Sequence, residues 1–352
     1  MDTQKMETQE RMKKIAVVIL NWNGRDLMKQ YLPSVIKNTD SELADIYVAD
    51  NGSDDDSVQF LESKFPDVKI IRLDKNYGFA EGYNLAIDTI SEEYVVLLNS
   101  DVRVGENWIT PLFEYMETHP QTAACQPKIR SDRNPAYFEH AGAAGGFLDR
   151  WGYPFCRGRL FYILEEDEGQ YDTILSIFWA TGATLMTRTA TYKNNGGLDG
   201  TFFAHMEEID YCWRLWSRGY DIVAIPQSIV YHLGAATLQK ESPRKTYLNF
   251  RNNLLMLYKN EAKWKCRRIL LVRFFLDLIA ALKMMLTHET ENAKAVLKAM
   301  SDFYSMRSAY RTKREQNLQL RKRKSIPTQY KGSLVFDFYL RGIRKFSQMK
   351  MK

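Results

Sequence analysis

The chain has 352 residues, 45% hydrophobic and 26% charged, an ordinary globular composition with enough apolar material for one large domain or two smaller ones. Four scattered cysteines without a CxxC pair argue against a disulfide framework or a cysteine-rich zinc site. The polar first fourteen residues lack the apolar run of a secretory signal, so the chain reads as cytoplasmic. The net charge of +6 hides a division, because residues 1–260 carry 27 Lys and Arg against 36 Asp and Glu, and residues 261–352 carry 22 against 7.

Ile15 to Leu20 is an unbroken, β-branched apolar run ending at Asn21-Trp22-Asn23-Gly24, which predicts a strand buried on both faces. A helix is expected from about Asp26 to Asn38. A second strand, Ile46 to Ala49, precedes the turn Asp50-Asn51-Gly52-Ser53. A third, Val68 to Leu73, precedes Asn76-Tyr77-Gly78 and a helix over Ala80 to Ile90. The fourth, Tyr94 to Leu98, ends at Asn99-Ser100-Asp101. Strand and helix alternating across short loops predict an α/β fold with an open, largely parallel sheet, whose ligands sit at the carboxyl ends of the strands.

Residues 131–172 are rich in glycine and aromatics without periodicity, and predict a loop region over the site or a surface excursion. Ile177 to Met186 reads as a strand, Met206 to Arg218 as a helix stopped by Gly219, and Ile222 to Ile225 as a strand again. Beyond Pro243 the pattern is helical. Ile269 to Leu286 is the longest apolar stretch, but Arg273, Asp277 and Lys283 make it a poor membrane span. At 100° per residue these charges share about a third of the circumference, as in a helix lying in a membrane interface or packed on the domain. The run Arg321-Lys322-Arg323-Lys324 and the aromatic, basic segment Leu334 to Phe346 suit an anionic partner, and the closing segment has the composition of an interfacial anchor. No nucleic-acid-recognition motif accompanies the charge, so a membrane surface is the expected partner.

Asp101, beside Asn99 and Ser100 at a strand end, is the kind of hard oxygen donor that holds Mg²⁺ or Mn²⁺ with a diphosphate. Glu207, Glu208 and Asp210 open a helix after Gly196-Gly197-Leu198-Asp199. Acidic residues favour helix N-termini for dipole reasons alone, yet three together also suit a general base of raised pKa. His232, ending an apolar segment just before Gly234, competes as a metal ligand with the commoner structural role of a lone histidine.

Taken in order, Val17 to Gly24, Val48 to Ser53, Asn76 to Ala80, Leu97 to Asp101, Thr181-Gly182-Ala183, Glu207 to Asp210 and Tyr231 to Gly234 resemble the inverting family 2 glycosyltransferases of the GT-A fold. The likeness is to the bacterial rhamnosyltransferase branch and covers residues 14–255. The resemblance implies a nucleotide-sugar donor, dTDP-rhamnose before a UDP-hexose, held by Asn21, Asn23, Asp50, Ser53, Asn76, Gly78, Phe79, Asn84, Asn99, Ser100 and Asp101. It implies Mg²⁺ or Mn²⁺ on Asp101 and His232, since Asn99 replaces the first Asp of the family's Asp-x-Asp. Glu208 takes the place of the family's catalytic Asp and is the first choice of base, with Glu207 the alternative and Asp210 the third catalytic candidate.

The implied reaction is a single displacement with inversion onto a glycan on a polyprenyl diphosphate, in cell-surface polysaccharide synthesis on the inner face of the cytoplasmic membrane. The expected organisation is a polar tail over 1–13, a catalytic domain over 14–260 and a helical, basic, membrane-associating region over 261–352 that leaves a homo-oligomer open. The competing class is a non-catalytic sugar- or lipid-binding protein.

Overall fold

A computed structural model of the chain describes residues 13–234 and 242–351. The expected polar tail therefore lies, Lys13 apart, outside the described residues. The elements run β1 (Ile15–Asn21), α1 (Arg25–Asn38), β2 (Ala44–Asn51), α2 (Ser57–Lys64), β3 (Lys69–Leu73), α3 (Gly78–Asp88), β4 (Tyr94–Asn99), β5 (Val102–Val104), α4 (Thr110–Thr118) and β6 (Thr122–Ser131). After four short strands, β7 (Gly146–Leu148), β8 (Pro154–Cys156), β9 (Arg159–Leu160) and β10 (Ile163–Leu164), come β11 (Leu175–Ser176), β12 (Thr184–Arg188), α5 (Thr189–Asn194), α6 (Glu207–Ser217) and β13 (Asp221–His232). The chain closes with α7 (Pro243–Asn260), α8 (Lys263–Leu286), α9 (Thr290–Met306), α10 (Arg311–Gln319) and α11 (Leu334–Tyr339).

The main sheet is ordered β11-β13-β6-β12-β4-β1-β2-β3, with β5 paired to β13. β3, β2, β1 and β4 run parallel and β12 joins antiparallel, the mixed, mostly parallel α/β sheet expected. β1 shows why its apolar run is unbroken. Ala16 and Val18 enter the core on one face, and Ile15, Val17 and Ile19 enter the core on the other.

Three expectations are corrected. Residues 131–172 are not simply a loop, because β7 to β10 form a second, antiparallel sheet. The strand read over Ile177 to Met186 begins only at Thr184, since Thr181 turns the chain by accepting the Ala183 amide on its Oγ1 at 3.2 Å. The strand read over Ile222 to Ile225 is one end of a strand reaching His232, interrupted by an irregularity between Ile225 and Ile229 around Pro226, which has no N–H for the ladder.

The basic region packs on the catalytic body. Arg323 donates to Gly219 O at 2.8 Å and Asp221 Oδ1 at 2.8 Å, and the Lys322 and Arg323 amides bond Ser217 O, so this part of the basic run caps the C-terminus of α6. Of the closing segment read as an anchor, Leu334, Phe338 and Phe346 are buried. Phe346 lies 5.2 Å from Phe147 in the small sheet, while Phe336, Tyr339 and Leu340 remain exposed. On α8 two of the three mid-helix charges face inward: Arg273 and Asp277 form a buried ion pair at 3.1 Å, and Arg273 also bonds Trp151 O and Asn253 Oδ1, while Lys283 stays exposed.

Arg273→Ala strands Asp277 in the interior. The substitution should cost about 3–5 kcal/mol, measured by urea unfolding. Among the described residues no helix is long and apolar enough to cross a membrane, and all four cysteines are free and buried.

Candidate active site

The parallel strands bring the first polar cluster together through register. Asn21 lies opposite Asp50, and Asn99 opposite Leu20 on the other side of β1. The strand order reverses direction at β1, which opens a crevice beyond the carboxyl ends of β1 and β4. There Asn21 Nδ2 donates to Asp50 Oδ1 at 3.1 Å and Ser53 Oγ at 3.3 Å. The amides of Ser53 and Asn23 donate to Asp50 Oδ2 at 3.1 Å and Ser53 Oγ at 3.0 Å. Four of the predicted donor residues are thus one hydrogen-bonded group.

Asn51 fixes the next turn by accepting the Tyr77 amide at 3.0 Å and donating to Asn76 Oδ1 at 3.2 Å and Gly78 O at 3.0 Å. Gly78 has φ +77°, and a Cβ there would sit 2.5 Å from the Phe203 ring, so only glycine fits. The amides of Phe79 and Ala80 donate to Phe203 O at 2.8 and 3.2 Å, tying the start of α3 to the loop before α6. Asn84 reaches the same region: its Oδ1 accepts Tyr192 Oη at 2.7 Å and the Leu198 amide at 2.9 Å, so it holds the turn ahead of the acidic helix.

Asp101 and His232 meet because β13 returns antiparallel to β5, placing His232 opposite Val102. His232 Nε2 lies 3.0 Å from Asp101 Oδ1 and 3.4 Å from Asn99 Nδ2, and Ser100 sits half-buried in the intervening turn. His232 Nδ1 is 3.2 Å from Glu139 Oε2 without hydrogen-bond alignment. Burial opposes charging the ring, but the Asp101 and Glu139 carboxylates outweigh it and hold its pKa up at about 10. With no ion present the ring is therefore protonated and pairs with Asp101; a divalent cation that displaced the Nε2 proton would meet a carboxylate oxygen and an imidazole nitrogen backed by Glu139. Among the described residues no three His, Cys, Asp or Glu side chains form a complete metal cage.

The acidic helix starts under tension. Phe203, His205 and Met206, none of them glycine, have φ of 64°, 70° and 73°, a left-handed backbone that persists only when its surroundings hold it. Asn252 does so, donating to the carbonyls of Phe202, Ala204 and His205 at 3.0, 2.9 and 2.8 Å. Glu207 Oε2 and Glu208 Oε2 are buried without a hydrogen-bond partner. Desolvation raises the Glu208 carboxyl to about 7. Desolvation, then the neighbouring Glu208 charge, holds Glu207 well above the carboxylate range.

Asp210 differs, because Arg214, Lys259 and Asn260 occupy its oxygens at 3.0, 2.7 and 2.7 Å. Gly182 joins the two halves of the site. A Cβ on it would lie 3.0 Å from Phe79 and 4.0 Å from Glu208 Cβ, while the adjacent Ala183 O accepts the Asn99 amide at 3.0 Å.

Sequence reasoning gave Asn51 no role of its own and missed Glu139 and Asn252. Glu139 lies where no periodicity helped. The signal for Asn252 was present in the pair Asn252-Asn253 inside an 18-residue helix, where asparagine is unfavourable without a bonding task.

Comparison with known proteins agrees with this geometry. Residues 16–188 match the family model for glycosyl transferase family 2. The chain is 22% identical over 264 residues to N-acetylglucosaminyl-diphospho-decaprenol L-rhamnosyltransferase of Mycobacterium tuberculosis, covering 71% of this chain and 86% of the relative. Among solved structures it superimposes on GalNAc-T7 with UDP, GalNAc and Mn²⁺ (TM-score 0.56, 16% identity, 70% of this chain and 48% of that one). It also superimposes on S. aureus TarS 1–349 with UDP-GlcNAc (TM-score 0.53, 15% identity, 88% and 89%). With the order of motifs, the sheet and the match in agreement, residues 16–188 form a glycosyl transferase family 2 domain, and the chain has the GT-A fold.

Proposed function

We propose that this enzyme transfers a sugar, rhamnose before a UDP-linked hexose, from a nucleoside-diphosphate donor to a hydroxyl of a polyprenyl-diphosphate-linked glycan, with inversion. It would serve cell-surface polysaccharide synthesis at the cytoplasmic leaflet, with the basic region 261–352 against the membrane. The observation that carries the reading is the Glu208 carboxyl beside Gly182, raised to about 7 by desolvation and with its buried Oε2 lacking a hydrogen-bond partner. That oxygen lacks a hydrogen-bond donor, which an acceptor hydroxyl would supply.

In this reading Asn21, Asp50 and Ser53 bind the base and ribose, with Asn23 bracing Ser53, and Asn76, Gly78 and Phe79 line the donor. Asn99 and Ser100 face the diphosphate. Asp101 and His232 would hold Mg²⁺ or Mn²⁺, which when bound neutralises diphosphate charge. Glu208 takes the proton of the acceptor hydroxyl as its oxygen attacks the anomeric carbon opposite the departing diphosphate, so one bond forms as one breaks and the configuration inverts. Desolvation keeps Glu208 protonatable near neutrality with Glu207 beside it, and Asp210 and Asn84 position the acidic helix. The relative's diphospho-decaprenol acceptor and rhamnosyl donor support the choice of substrates.

Proton NMR of the product formed with dTDP-rhamnose and a polyprenyl-diphosphate-linked glycan tests the reading. The new linkage should have the anomeric configuration opposite to the donor's. Retained configuration would contradict it, and UDP-hexose turnover in place of rhamnose would select the second donor.

A further inference from the structure

We infer that α8 is the element that enters the membrane interface, and that the cavity at its amino end takes the phosphate of an anionic phospholipid headgroup. The inference deepens the membrane attachment proposed above and rests on it for the choice of an anionic bilayer.

Three observations carry it. The helix presents its apolar side outward: Trp264, Leu271, Phe275, Ile279, Leu282 and Leu286 are between 56% and 74% exposed, whereas Arg273 and Asp277 are buried. At 100° per residue these six positions span about 80° of the circumference, and the helix is about 36 Å long. Such a face on a soluble surface marks an interaction site. The exposed Phe336, Tyr339 and Leu340 of α11 extend it, since Lys283 of α8 lies over the Tyr339 ring at 5.2 Å.

Next, a cavity of about 320 Å³ opens where α8 meets the turn around Tyr330. Its walls include Trp151 and Tyr330, and its charged groups are Arg150, Lys265, Arg268 and Lys331. Of these only Lys265 has a carboxylate partner among the described residues, Glu261. Three exposed cations on one apolar-walled cavity, at the end of an apolar helix face, match a phosphate whose acyl chains lie beside α8.

Finally, the charge excludes a second copy of the chain as the better occupant. Asp277 is the only acidic residue in 262–286 and Asp337 the only one in 320–351, and both are buried. A twofold pairing of this face would set cations against cations, whereas an anionic bilayer complements them. Contacts also run from the cavity wall towards the acidic helix. Arg273 binds Trp151 O, Asn253 binds Gly152 O at 2.7 Å, and the same Asn253 amide lies 3.8 Å from Met206 Sδ, the residue before Glu207.

The test is flotation of the full chain with vesicles of phosphatidylcholine alone or with 30% phosphatidylglycerol, alongside light scattering and thermal melting. Wild type should float with the anionic vesicles and be released by salt. Phe275→Glu with Ile279→Glu should weaken flotation at least tenfold with an unchanged melting temperature. Arg268→Glu with Lys331→Glu should remove the preference for phosphatidylglycerol. Equal flotation of all three proteins, or a dimer that the Phe275/Ile279 variant dissociates without any vesicle binding by wild type, would overturn the inference. Donor hydrolysis by the same preparations separates its failure from failure of the transfer reading.

Discussion

Glu208→Gln is expected to lower kcat by about 10²–10⁴-fold, the range for loss of a general base, while leaving donor KM within about threefold and stabilising the fold at pH 8. The two effects have one cause. The Glu208 carboxyl, ordinarily 4.5, is raised to about 7 by desolvation, so between these values the unfolded chain has released a proton that the native protein keeps. Stability therefore falls as pH rises from about 4.5 to 7, and the penalty is fully present above 7. Glutamine removes this penalty along with the base. Wild-type kcat should rise with pH through about 7 as the carboxylate forms. Chemical denaturation at pH 5 and 8 reads the stability arm: the gain from Glu208→Gln should be seen at pH 8 and shrink towards pH 5. The Glu207 slope, of the same sign, persists in the variant.

Asp101→Ala is expected to remove at least 10²-fold of kcat/KM and to abolish stabilisation by nucleoside diphosphate with Mn²⁺. The side chain is one of the two proposed to hold the cation, and its loss also takes from His232 Nε2 the partner 3.0 Å away. The loop itself survives, because Leu233 N bonds the Asp101 carbonyl, which alanine keeps. Buried His232 nevertheless loses one of the two carboxylates that hold its pKa up, so the ligand-free variant should melt below wild type at neutral pH while still folding. In wild type, ligand at about 100 times its Kd adds about 2.7 kcal/mol of stability. EDTA should erase that increment, and Asp101→Ala should show none with or without chelator. An unchanged ligand-induced shift in Asp101→Ala would show that the cation does not bind there.

The parallel half of the fold was legible because each buried strand ends abruptly at a polar turn, Leu20 to Asn21 and Leu98 to Asn99. Parallel register alone then brings those turns together. The Asp101–His232–Glu139 corner was only half legible. It depends on an antiparallel return 131 residues later and on the Glu139 amide pairing with Ile129 O, neither of which leaves a local pattern. Strands of two or three residues, as in β7 to β10, are too short to show a period of two, so their sheet was hidden inside an apparent loop. Composition revealed two faces on α8, but which face turns inward is decided by Trp151, Asn253 and the buried pair Arg273–Asp277, contacts far apart in sequence.

The most direct test of the account is release of nucleoside diphosphate from a panel of nucleotide sugars, with Mg²⁺ or Mn²⁺ and a lipid-linked glycan fraction, by wild type, Glu208→Gln and Asp101→Ala. The account predicts release from one donor by wild type, lost on chelation and in both variants. Release from no donor, or release that survives either substitution undiminished, would contradict it.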